Sequence, residues 1–158
     1  DGTLLNEWFA LKLQSQIKLS ASDSEGAYQF GILSDDGAIL RNNTDSDSSV
    51  IVNNDGVTMT RFAFANQPIN MTAASRLPVQ VEYFQGPRMH ISMILMWRPW
   101  NGSAADPAGG QSGNDLYFNS NVTPSTPQPA YNALLARGWK PLTPDNFVIP
   151  NNEANPCY

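Results

Sequence analysis

Cysteine and histidine each occur once in the 158 residues, as Cys157 and His90. A lone cysteine excludes an intrachain disulfide and a thiolate metal cluster. A lone histidine excludes a multi-histidine metal site, so any metal must be held by oxygen. Charge is scarce too: charged residues make up 15% of the chain, against roughly 25% in ordinary soluble domains. Nine Lys and Arg against fourteen Asp and Glu leave a net charge of −5, a poor basis for docking on phosphate backbones, so no nucleic-acid partner is expected. No apolar run approaches the about 18 residues that would span a bilayer, so no membrane insertion is expected. No signal-peptide pattern follows Asp1, which reads as a cut from a longer chain whose leader can have been removed. Catalytic signatures are missing as well. The chain has no G-x-S-x-G elbow, no phosphate-cradling loop and no C-x-x-C, and His90, between Met89 and Ile91, reads as a strand residue. An acid pair such as Asp35 and Glu82 is the remaining route to a glycosidase, which usually needs a larger cleft. No enzyme is expected.

Hydrophobic residues at 41% suffice for one core, and the length is that of one domain. The uncharged surface is supplied by 16 Asn, 14 Ser, 8 Thr and 8 Gln, a composition that suits an extracellular or cell-surface module. From Phe9 to Leu19 the odd positions are apolar except Ser15, the period-two pattern of a strand with one buried face. Tyr28, Phe30 and Ile32 restart it, Ala38 to Leu40 and Val50 to Val52 are short strands, and Asn53 to Gly56 carries the Asp-Gly signal of a hairpin returning over 57–64. Leu77, Val79, Val81 and Tyr83 alternate again. His90 to Trp97 has apolar residues on both faces, as a central strand does. Beyond Pro99 the chain is rich in Pro, Gly, Ser and Asn and reads as an irregular excursion. One short helix is expected after the excursion, capped by Ser125 or Thr126, with Pro127 at an early helical position and Tyr131, Leu134 and Leu135 on one face before Gly138 and Pro141 stop it. The fold class is therefore all-β, an antiparallel sandwich with a long C-terminal excursion.

Two interruptions at strand ends bear on function. Ser34, Asp35, Asp36 and Gly37 are good β-turn chemistry, but two adjacent carboxylates also suit Ca²⁺, which takes about six to eight oxygens from carboxylates, amides, backbone carbonyls and water. Gln85, Gly86, Pro87, Arg88 and Met89 break a strictly alternating strand. They read either as an ordinary turn or as the second loop that such a shell needs.

The order of these segments resembles a PA14 domain over about residues 4–98. Its most specific stretch is the G-x-Y-x-F of Gly26 to Phe30 followed by the S-D-D-G of Ser34 to Gly37; the P-V-x-V-x-Y of Pro78 to Tyr83 keeps the register. The resemblance implies a PA14-like β-sandwich over 1–150, with residues 99–150 accessory and 151–158 a tail. In the lectin branch found in bacterial adhesins, two consecutive aspartates joined by a cis peptide hold one Ca²⁺, and Asp35 and Asp36 match them. A side-chain carbonyl from a second loop, matched by Gln85, and backbone carbonyls near Pro87 and Met89 complete the protein ligands there. The resemblance further implies that open calcium positions take vicinal hydroxyls of a sugar, with Asp35, Asp36 and Gln85 around it. Arg88 reads as a solvated loop charge or as a donor to a sugar oxygen. Residues 99–158 fit no PA14 element; Asp106, Gln111, Asn114 and Asp115 are polar candidates to border the site.

What the resemblance implies is a calcium-dependent carbohydrate-binding module of a bacterial surface adhesin or fibre. Its partner would be a cell-surface glycan, and it would form part of a larger or multimeric protein. The alternatives are a protein-binding or structural tip domain without lectin activity, and an accessory module of a glycosidase or toxin.

Overall fold

The computed structural model describes residues 5–43 and 49–148. They form an all-β sandwich of two antiparallel five-stranded sheets with one short helix. The first sheet has the order β12-β1-β7-β3-β4, from β1 (Phe9–Ile17), β3 (Ala38–Asn42), β4 (Val50–Asn54), β7 (Leu77–Gln85) and β12 (Phe147–Val148). The second has the order β11-β8-β2-β5, from β2 (Gly26–Asp35), β5 (Arg61–Phe64), β8 (Ser92–Pro99) and β11 (Lys140–Pro141), with β6 (Ile69–Met71) also pairing β2. Among the described residues no helix is long and apolar enough to cross a membrane.

The period-two faces explain the layers. Tyr28, Phe30, Ile32 and Trp97 of the second sheet meet Leu40, Val52, Val79, Val81 and Tyr83 of the first in the inter-sheet core. Their neighbours in sequence, Leu33, Ile94 and Met96, point the other way and carry a second core. This is the two-faced central strand expected of 90–97, although β8 starts at Ser92 and leaves His90 in a loop. The excursion covers that outer face. A two-residue ladder of β9 (Phe118–Asn119) and β10 (Thr126–Pro127) leads into α1 (Pro129–Ala136), and Tyr117, Tyr131, Leu134 and Trp139 pack on Phe62 and Met96. The helix begins two residues later than the cap reading, with Pro129 at its first position, and Leu135 faces solvent.

Residues 99–148 are therefore woven into the sandwich. They supply β11 to the edge of one sheet and β12 to the edge of the other. At their centre Asp106 is fully buried, held by Arg98 at 3.2 Å, by Arg137 at 2.8 and 3.0 Å, by the Trp139 indole at 2.9 Å and by the Ala108 N–H at 2.9 Å. It is a structural hub. Gln111 bonds the Pro107 carbonyl and Asp115 caps Ser120.

Three expectations are corrected. Asn53 to Gly56 is no hairpin: β4 pairs with β3 while β5 pairs with β2, so the chain crosses from one sheet to the other. The buried Asn54 pins this crossover, its amide donating to Ser34 Oγ (2.8 Å) and the Arg61 carbonyl (3.0 Å) and accepting from Arg61 Nε (2.7 Å). The return strand then shrinks to Arg61–Phe64, which leaves Val57 to Thr60 as a loop. In β1 the apolar face is only half covered. Leu11 and Leu13 stay exposed, and Leu13 stands at the mouth of a cleft of about 280 Å³ between the sheets. Cys157 lies outside the described residues.

Candidate functional site

β2 ends at Asp35 opposite Ser92 of β8, and β3 begins at Ala38 opposite Tyr83 of β7. Asp36 and Gly37 therefore bridge the two sheets at one end of the sandwich. Gly37 must lack a side chain, because a Cβ there would meet the Phe84 ring at 2.2 Å. The Asp35–Asp36 peptide is cis, as the resemblance implies. Both aspartates are only 5% exposed.

Neutral groups alone satisfy them. Asp35 Oδ2 accepts from Thr60 Oγ1 (3.0 Å); Asp36 Oδ1 accepts from the Thr58 N–H (3.0 Å) and Oδ2 from the Gly86 N–H (2.8 Å). No Lys or Arg bonds either carboxylate among the described residues. Burial pushes the Asp35 carboxyl above the usual carboxylate range, with the Thr60 hydroxyl opposing and the Asp36 charge adding to the rise. Burial, then the charges of Asp35 and Asp36, push the Tyr83 hydroxyl up to about 12, so Tyr83 is a permanent proton donor here.

The loop from Gln85 to Met89 lies beside the aspartates, since its Gly86 N–H is the one that bonds Asp36. Gln85 ends β7 and is buried as well, more than its strand-end position alone suggests. Its Nε2 donates to the Pro87 and His90 carbonyls, each at 2.9 Å, while its Oε1 faces the Tyr83 hydroxyl. The loop carbonyl converging with that of Pro87 is thus His90's, one residue beyond Met89. Tyr83 has one hydroxyl proton but two acceptors in reach, Gln85 Oε1 and the Asp35 carbonyl at 2.6 Å. The Gln85 amide satisfies the carbonyls of Pro87 and His90 through Nε2 and turns its oxygen to Tyr83. The two carboxylates and the carbonyls of Pro87 and His90 are the oxygen groups here that could hold a cation such as Ca²⁺; among the described residues no three His, Cys, Asp or Glu side chains converge as a metal site.

A cleft of about 440 Å³ opens over Asp35 and Asp36. Its rim is apolar: Val57 is 82% exposed and Met89 78%, with Met59 beside them. Trp8, 75% exposed, joins this end of the sheet. Its N–H bonds the Gly86 carbonyl (2.9 Å), and a Cβ on Gly86 would lie 3.0 Å from Asp36 Oδ2 and 3.9 Å from the Trp8 ring. Sequence reasoning missed Trp8, because it precedes the alternating run, and missed Thr58 and Thr60, because a hairpin would have carried them away. It also missed His90, which lines the cleft from a loop. Asn114 lines the cleft too, and is the one of the four polar candidates from the excursion that does. Arg88 lines the neighbouring cleft instead, and Glu82 is engaged by Arg41 (3.1 Å) and Gln80 (2.7 Å) away from Asp35. Trp97 is core, and Asp55 lies in an exposed turn. No family model, curated protein or solved structure matches the chain.

Proposed function

We propose that the chain is a calcium-dependent carbohydrate-binding module of the PA14 type. It would be displayed outside the cell as part of a larger or multimeric bacterial surface protein. One observation carries this reading: two adjacent aspartates are buried without a cationic partner among the described residues and lie beside the carbonyl-bearing loop of Gln85 to His90. Burying unpaired carboxylates costs several kcal/mol per ion, and a bound cation removes that cost. Asp35, Asp36, Gln85 and the carbonyls of Pro87 and His90 would hold the ion; the carbonyl of Met89 is the other candidate. Bound there, Ca²⁺ supplies a strong positive charge that keeps both aspartates ionised. The carboxylates then accept hydroxyl protons of a sugar, and the rim of Val57, Met59 and Met89 meets its C–H surface. A single shallow site of this kind binds weakly, so display in several copies is part of the proposal.

The test is a glycan array probed in calcium and in EDTA, beside calorimetry of calcium alone. Sugar binding in calcium that vanishes in EDTA is expected; binding that persists unchanged in EDTA contradicts the mechanism. The exposed apolar rim favours a second reading, a protein-binding tip domain. A silent array with calcium demonstrably bound selects it.

A further inference from the structure

Trp8 is the one non-glycine residue among the described residues with a left-handed backbone, at a φ of 54°. For a bulky side chain that conformation is costly, and it persists only where its surroundings hold it. Core burial does not offset the cost here, because Trp8 is 75% exposed and belongs to neither apolar core. What holds it is the Gln85–Met89 loop. Phe9 pairs with Gln85 in the strand register, and one step further the Trp8 N–H bonds the Gly86 carbonyl at 2.9 Å. The Trp8 ring comes to 3.9 Å from the point where a Gly86 Cβ would stand, and Asp36 Oδ2 lies 3.0 Å from that same point. Gly86 is thus held between the indole and the carboxylate, with its own N–H on Asp36 Oδ2 at 2.8 Å. Glu7 flanks the loop as well, its Oε2 4.0 Å from Arg88 Nε. That exposed pair contributes little by itself, but it sets two consecutive residues along one loop.

We propose that Trp8 is a positioning residue of the cation site. It clasps the Gln85–Met89 loop through its N–H and through its ring beside Gly86, and so keeps the Gly86 N–H on Asp36 and the loop carbonyls in place for the ion. This rests on the calcium reading above. Trp8 acts without touching the ion. A hydrogen bond to a carboxylate is stronger where water is kept from it, and a loop ordered in advance leaves less ordering for the ion to impose.

The experiment is calorimetric titration of calcium into the full chain as parent, Trp8→Gly and Trp8→Phe, beside unfolding midpoints in EDTA. Trp8→Gly keeps the N–H and accepts the left-handed backbone without strain, but it removes the ring. It is expected to weaken calcium binding about tenfold, the share of one charged hydrogen bond opened to water, with a midpoint in EDTA near the parent's. Trp8→Phe keeps a ring beside Gly86 and is expected to bind calcium nearly as the parent does. Fluorescence supplies a second arm. Trp97 and Trp139 are buried and Trp100 is half-buried, so Trp8 is the exposed tryptophan. Calcium is expected to change the parent's emission, and Trp8→Phe to abolish that change; this arm decides if Trp8→Gly unfolds. Unchanged calcium affinity in Trp8→Gly, a loss matched by an equal loss of stability in EDTA, or an emission change that persists in Trp8→Phe overturns the clasp and leaves the calcium site standing. A parent that binds no calcium overturns the calcium reading, and the clasp falls with it.

Discussion

Asp106 and the Asp35–Asp36 pair are buried to nearly the same degree in one small molecule, and they are treated in opposite ways. Asp106 meets two arginines, an indole N–H and a backbone N–H. Burial would raise its carboxyl, yet the Arg137 hydrogen bonds, the Ala108 N–H and the Trp139 indole hold it below the usual range. The aspartate pair has three neutral donors for two charges, and the Asp35 carboxyl is pushed up. The first is a finished structural network. The second has no cationic partner among the described residues.

The largest effect should come from breaking the finished side. Asp106→Ala strands Arg98, whose side chain is buried, and should cost about 3–5 kcal/mol in denaturant unfolding. Added calcium should restore none of it. A cost below that of an ordinary surface substitution would erase the contrast.

Asp35→Asn should act the other way. In EDTA it should match or exceed the parent in stability, because Thr60 keeps its acceptor and one unpaired charge is gone. In calcium the order should reverse. At one hundred times the dissociation constant the parent gains about 2.7 kcal/mol that the variant lacks. Parallel melting curves with and without calcium check the crossing.

Gln85→Leu sharpens the comparison from the loop side. It removes the group that satisfies the Pro87 and His90 carbonyls and contacts Tyr83, so it should cost about 1–3 kcal/mol in EDTA. It should also lower calcium affinity. The sandwich should remain by circular dichroism. Unchanged calcium affinity would remove Gln85 from the ligand set.

The smallest effect is in pH. Burial would raise the Asp23 carboxyl, but Lys140, Ser20 and Asn146 lower it to about 2, and Asp106 is lowered too. The stability these groups give is present above the unfolded carboxyl value near 4 and lost as pH falls toward about 2. Asp35, raised, has the opposite sign: its share is present below about 4 and lost as pH rises through its folded value. In EDTA, Asp35→Asn should therefore remove a decline on the neutral side and leave the acid limb as it was. Unfolding midpoints from pH 2 to 7 decide it.

Much of the contrast was legible beforehand. Alternation at Tyr28, Phe30 and Ile32 and at Val79, Val81 and Tyr83 marked the inter-sheet core, because a strand facing a core must repeat every two residues. The acid pair and the Gln85 loop stood out as interruptions of that repeat. Asp106 did not, since its partners Arg98, Arg137 and Trp139 are brought together only by tertiary packing. Asn54 misled for a related reason: an Asn-Asp-Gly run favours a turn locally, but side-chain bonds to Ser34 and Arg61 send the chain into the other sheet. Thr58 and Thr60 reached the site as a consequence, and His90 because β8 starts only at Ser92.

Calorimetric titration of calcium into the parent, Asp35→Asn and Asp55→Asn tests the central claim most directly, because Asp55 sits exposed on the sequence's other acidic turn. The parent and Asp55→Asn should bind one calcium ion with equal affinity, in the range of about 10⁻⁴–10⁻³ M or tighter, and Asp35→Asn should bind it far more weakly. No heat of binding in the parent, or equal losses at Asp35 and Asp55, would contradict the account.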